Sequence, residues 1–105
     1  MNDTRHSLSK DDDLPKSITT KKLGGPNYLA WAHAVKIYLR GRSRLHFLTD
    51  SPLAQNDAKF GEWEQIDSMV MGQLWHSLEP HVATTVEFCE TSKQIWDSLA
   101  DSFSN

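Results

Sequence analysis

The sequence predicts an all-α domain, and three observations carry that reading. Apolar side chains recur at three- and four-residue spacing, no useful length alternates with period two, and the β-branched residues are scattered. The expected architecture is a compact bundle of four to five helices over residues 23–105, preceded by a disordered polar arm at residues 1–22.

The arm contains Asp11-Asp12-Asp13, scattered Ser and Thr, and Pro15, a composition too poor in apolar groups to offset the entropy of ordering. Leu23-Gly24-Gly25-Pro26-Asn27 then reads as a turn, with Asn27 as the N-cap of a first helix. Tyr28, Trp31, Val35, Tyr38 and Leu39 form its apolar stripe, and Leu29, Ala32 and Ile37 widen that stripe toward a second face. The helix is expected to end at Arg40, with Gly41 as a left-handed C-cap and Arg40, Arg42 and Arg44 complementing the negative end of the helix dipole.

Leu45-His46-Phe47-Leu48 reads as one short helical turn, and the stretch from Thr49 to Asn56 as a connector closed by a capping Asp57. A long helix follows. Phe60, Trp63, Ile66, Val70, Leu74 and Leu78 repeat at helical spacing, while Met69, Met71 and Trp75 broaden the band enough to predict burial on two sides. Glu62, Glu64 and Asp67 fall in its first half, where the helix dipole favours acids. Pro80 stops this helix and opens a short one carrying Val82 and Val86, with Phe88 and Cys89 as its next apolar positions. Thr91-Ser92-Lys93-Gln94 matches a capping box, and Ile95, Trp96, Leu99 and Phe103 stripe the final helix. An apolar stripe still running at the last residues leads us to expect a segment of a longer protein.

Composition narrows the function. A chain of 105 residues with a polar arm has little spare core for a deep enzyme cleft, yet it carries four Trp, four Phe and two Tyr. Cys89 is the only cysteine, which excludes an intramolecular disulfide and a cysteine-based zinc site within the chain. With no apolar run of membrane-spanning length and no secretory leader pattern, the expectation is a cytoplasmic protein without membrane contact. The net charge of -3 conceals a strong asymmetry. Residues 23–48 carry four basic side chains and no acid, whereas residues 49–105 carry two bases and ten acids. Such a chain can attract a copy of itself head to tail.

The residues of catalysis and metal binding do not converge. Carboxylates sit at helix starts and on polar faces, and His33, His46, His76 and His81 have no ligand spacing. Cys89 lies between Glu87 and Glu90 on an apolar stretch, a setting unsuited to a nucleophile. Gly24-Gly25 lacks the lysine and the preceding strand of a phosphate loop. The expectation is no enzyme activity, no cofactor and no metal. Arg40, Arg42 and Arg44, with aromatic Tyr38 and Phe47 nearby, form the one candidate contact for RNA, which would be weak and salt-sensitive. The dipole of the first helix accounts for the same arginines without a ligand.

Five motifs in order then give the chain a family likeness. Lys22-Leu23-Gly24-Gly25-Pro26-Asn27-Tyr28-Leu29-Ala30-Trp31 resembles the opening signature of plant Copia-type LTR retrotransposon Gag polypeptides. Lys36-Ile37-Tyr38-Leu39-Arg40-Gly41-Arg42, followed by Leu45 and Phe47-Leu48, is similar to the family's first helix and its exit. Trp63-Glu64-Gln65-Ile66-Asp67-Ser68-Met69-Val70 is similar to the second helix. Leu74-Trp75-His76-Ser77-Leu78-Glu79-Pro80 and Cys89-Glu90-Thr91-Ser92-Lys93-Gln94-Ile95-Trp96-Asp97-Ser98-Leu99 complete the series. Glu79 stands where the family often has serine.

The resemblance implies the N-terminal region of a helical retroelement capsid, whose copies assemble into a particle around the element's RNA. It further implies a motif core of Leu23, Asn27, Tyr28, Trp31, Leu39, Trp63, Val70, Leu74, Leu78, Pro80, Ile95, Trp96, Leu99 and Phe103. The family's RNA-gripping zinc knuckle comes later in such polyproteins and is absent from this segment. The expected partner is therefore a second copy of the chain, bound weakly through helix faces, with Trp75 and the three arginines as candidate contacts. Two other readings stand beside it: a domesticated host Gag-like adaptor that holds another protein, and a sequence-independent RNA-binding module in which Lys21, Lys22 and Lys36 assist the arginines.

Overall fold

The computed structural model describes residues 18–104. Among the described residues five α-helices follow one another: α1 Tyr28–Gly41, α2 His46–Thr49, α3 Phe60–His76, α4 Pro80–Ala83 and α5 Ser92–Phe103, with a 3-10 turn at Thr84–Val86 after α4. No strand occurs among the described residues; Leu23 and Leu78 make a single isolated parallel bridge. The all-α bundle read from periodicity is what forms. Most of the arm expected at residues 1–22 lies outside the described residues. Its last part is packed: Ile18 and Thr19 are buried, so the folded unit includes at least the last five residues of the segment that composition assigned to the arm.

A single core joins all five helices. Val35 and Leu39 of α1, Val70 and Leu74 of α3, and Ile95 and Leu99 of α5 are almost wholly removed from water, joined by Phe47, Leu48, Val82 and Val86. α2 and α3 both pack on α5. Aromatic rings fill the volume between helices: Trp31 lies 5.7 Å from Trp96, and Trp63 lies 5.9 Å from Phe47 and 5.7 Å from Phe60. Such offset and tilted pairs are the favoured geometries of aromatic packing.

The polar groups that enter this core are all paired, and they fix how the ends of the elements meet. The Trp31 indole N–H donates to the Ser77 carbonyl and to Ser77 Oγ, both at 3.1 Å. Ser77 Oγ in turn donates to the Leu74 carbonyl at 2.6 Å. Leu23 N–H reaches the Ser77 carbonyl at 2.8 Å, and Glu79 N–H reaches the Leu23 carbonyl at 3.0 Å. The segment entering α1, α1 itself and the α3–α4 corner are therefore tied at one point.

Several local expectations shift by a few residues. Asn27 does not cap α1 with its side chain. Its Oδ1 accepts the Gly24 N–H at 3.0 Å and its Nδ2 donates to the Lys22 carbonyl at 2.9 Å, closing the turn that precedes the helix. α1 runs through Gly41, and the left-handed residue is Ser43, at φ 58°. Arg44 N–H donates to the Leu39 carbonyl and Ser43 N–H to the Arg40 carbonyl, the paired bonds of a Schellman ending. Asp57 accepts the Lys59 N–H just ahead of α3, in a turn that leads into the helix. Pro80 opens α4 as the chain pattern indicated, but it does not stop α3, which ends at His76 and leaves Leu78 in the connecting corner.

Candidate interaction surface

The side chains that the core leaves behind define the molecule's chemistry. Five large apolar residues stand in water: Leu29 at 78% exposure, Ile37 at 48%, Met69 at 57%, Trp75 at 38% and Phe88 at 88%. This corrects three expectations. Leu29 and Ile37 do not widen the buried stripe of α1, because only one neighbour-facing side of that helix is covered. α3 is likewise buried on one side, through Val70 and Leu74, with Met69 turned outward and Trp75 at the edge. Phe88 does not extend the short helix into the core; the 3-10 turn ends at Val86 and swings the next apolar residue into solvent. The tighter 3-10 turn breaks the α-helical phase, so a stripe extrapolated at helical spacing fails there.

Most of the residues named for the motif core lie in the interior of the bundle. Leu23, Tyr28, Trp31, Leu39, Val70, Leu74, Leu78, Ile95 and Leu99 are buried, while Trp63, Trp96 and Phe103 pack half-buried against them. Asn27 and Pro80 lie nearer the surface as turn and helix-start residues.

Arg40 and Arg42 are exposed at the end of α1 and Arg44 is half-buried just after it. The Arg42 guanidinium lies 3.7 Å from the Tyr38 ring centroid and donates to the Tyr38 carbonyl at 3.3 Å. A cation over an aromatic face and a bond to a helix-end carbonyl both hold this arginine onto its own helix. Arg40 shares the outward side of α1 with Leu29, His33, Lys36 and Ile37.

One functional-looking group escaped the sequence reading. Asp67 is 3% exposed, and its carboxylate oxygens accept the Ser92 N–H at 3.2 and 3.3 Å. Ser92 Oγ donates back to the Asp67 carbonyl at 3.0 Å. Burial raises the Asp67 carboxyl above the ordinary aspartate range, and the hydrogen bonds from Ser92 oppose that rise without cancelling it. The carboxyl sits at the first turn of α5, where orphan N–H groups and the helix dipole attract negative charge. Its arrangement does structural work: it locks α3 to the start of α5. Burial also raises the Tyr28 hydroxyl above its ordinary range.

His76 Nδ1 lies 2.8 Å from the Gly72 carbonyl and His81 Nε2 lies 3.1 Å from the Gly24 carbonyl, so both rings serve backbone groups. Cys89 lies half-buried beside Ser98 Oγ at 3.9 Å. Among the described residues no three of His, Cys, Asp and Glu gather as a metal site, and no helix is long and apolar enough to cross a membrane. Compared with protein-family models, with curated proteins and with solved structures, the chain finds no match in any of the three.

Proposed function

We propose that this chain is a structural, non-enzymatic protein of the Gag or capsid type, which self-associates through its helical surface to build a retrotransposon particle around RNA. The observation that carries the reading is the set of large apolar side chains that the bundle leaves in water. Leu29, Ile37, Met69, Trp75 and Phe88 are all solvent-facing on a domain whose core is otherwise fully formed. A small domain gains stability by burying such groups, and groups left outside on two helices and the loop before α5 fit contacts with further copies. The five ordered motifs that resemble Copia-type Gag support the same reading, and the cytoplasm is the compartment that it implies.

Self-association is the testable core of the proposal. Light scattering over a wide concentration range should show species larger than one chain at the upper end. A strict monomer throughout would remove the reading.

A second reading has its own observation. Arg40 and Arg42 are exposed within one turn of each other, and a polyanion could meet them together. RNA retention that falls steeply with salt, and that disappears when Arg40, Arg42 and Arg44 are all replaced by Ala, would favour an RNA-binding role over self-association. The host-adaptor alternative would instead yield a stoichiometric complex with one other protein and no higher homo-assembly.

A further inference from the structure

The geometry points to a head-to-tail contact between two copies of this chain, in which the outward face of α1 on one copy seats against the Phe88 groove and its acidic rim on the next. This rests on the self-association proposed above and adds which surfaces meet.

The first surface is a stripe on α1. Leu29, His33, Lys36, Ile37 and Arg40 are all exposed, and they recur at the spacing that places residues on one helix face. Leu29 and Ile37 are eight residues apart, roughly 12 Å along the axis at about 1.5 Å per residue. Lys36 and Arg40 flank Ile37 on this face, and no acid occurs anywhere between residues 23 and 48.

The second surface has the opposite charge. Phe88, 88% exposed, stands beside a shallow groove that runs along α5 past Cys89, Gln94, Asp97 and Asp101. Glu87 and Glu90 flank the phenyl ring in the chain, and both are exposed. Asp97 and Asp101 are one turn apart on the outward side of α5. Lys93, the one base on that side of α5, is engaged by Asp97 at 2.7 Å. An apolar knob with carboxylates around it is the complement of an apolar stripe with cations along it.

Charge decides which surfaces meet. Setting α1 against α1 would place cation to cation, and setting the Phe88 surface against itself would place acid to acid. Like charges placed face to face cost free energy, whereas the mixed arrangement pairs opposite ones. Made head to tail, the contact leaves one copy with a free rim and the other with a free stripe, so it propagates into rings or open chains instead of stopping at a dimer.

Reciprocal charge reversal tests it on the full chain. One variant carries Lys36→Glu with Arg40→Glu, the other Glu87→Lys with Asp101→Lys; all four positions are exposed, and circular dichroism melts check that both variants fold. Each variant alone should self-associate about tenfold or more weakly than wild type. Mixed in equal amounts, the two should recover assembly, because the reversed stripe of one now fits the reversed rim of the other. Phe88→Ser alone should weaken wild-type assembly while leaving the melting temperature nearly unchanged. If either charge variant assembles like wild type, or the mixture fails to recover, this contact is wrong while self-association stands. A reversed stripe that loses only RNA retention also overturns it. A wild-type chain that stays monomeric at every concentration overturns both the contact and the function it rests on.

Discussion

Ser43 shows what a single backbone position can cost. It is the described non-glycine residue with a left-handed backbone, and it closes α1 where glycine is the usual occupant. That conformation costs an L-residue about 1–2 kcal/mol. Glycine there would lose about 0.4–1 kcal/mol more entropy on folding. Ser43→Gly is therefore expected to stabilise the protein by about 0.5–1 kcal/mol, the balance of the two effects, read as a higher urea midpoint at unchanged slope. The sequence pointed to Gly41 instead, since glycine after a cationic helix end is the local signal. The chain turns two residues later, where Arg44 N–H can reach the Leu39 carbonyl and Phe47 and Leu48 can return to the core. Local composition does not encode that return path. Tryptophans divide on the same scale: Trp31 is 2% exposed with its N–H doubly bonded, and Trp75 is 38% exposed. Trp31→Ala should cost about 3–5 kcal/mol, enough to unfold much of so small a domain. Trp75→Ala should lower the melting temperature far less while weakening self-association, and the opposite order would remove Trp75 from the candidate surface.

Among the elements, α5 separates what is written locally from what is written across the fold. Its capping box was legible: Thr91 Oγ1 accepts the Gln94 N–H at 3.1 Å, as the Thr-x-x-Gln spacing indicates. Gln94 reaches back one residue further than expected, to the Glu90 N–H at 2.7 Å. Thr91→Ala should accordingly cost about 1 kcal/mol. The second clamp on the same helix end, Asp67 to Ser92, was not legible, because its partners are 25 residues apart and Asp67 also suits the acidic first half of α3. Its signature is a pH dependence of definite sign. The folded chain binds the Asp67 proton more tightly than the unfolded chain does, so this contribution to stability is complete below the ordinary value of 3.8 and is lost as pH rises through the higher folded value. Asn at this position cannot ionise. Measured from roughly pH 3 to 7, the stability of wild type minus that of Asp67→Asn should fall as pH rises. A difference that stays flat or grows would mean that the Asp67 carboxyl is not destabilised by its burial.

For the whole molecule the informative quantity is how charge is distributed, since a net charge of -3 is too small to say much about association. Periodicity made the helices and most of the core readable, because apolar spacing is a property of each element alone. Which apolar residues remain outside was not readable, because that depends on how many sides of a helix find neighbours, as Leu29 and Met69 illustrate. The segregation of cations onto α1 and of acids onto the later elements was visible from the start, and with the fold it acquires a direction. Two opposing electrostatic effects then act between copies. Repulsion between net negative molecules is relieved by salt, so assembly limited by it would strengthen as salt is added. Attraction between a cationic stripe and an acidic rim is screened by salt, and at about 1 M the screening length is only about 3 Å, shorter than the span of either surface. Head-to-tail attraction therefore predicts assembly that weakens between about 0.05 and 0.5 M salt, down to a residual set by Leu29, Ile37 and Phe88, whose burial does not depend on charge. Sedimentation velocity at fixed protein concentration reads the sign directly. Assembly that strengthens monotonically with salt would show net repulsion and apolar contact to be in control, and would leave the paired charges without a role.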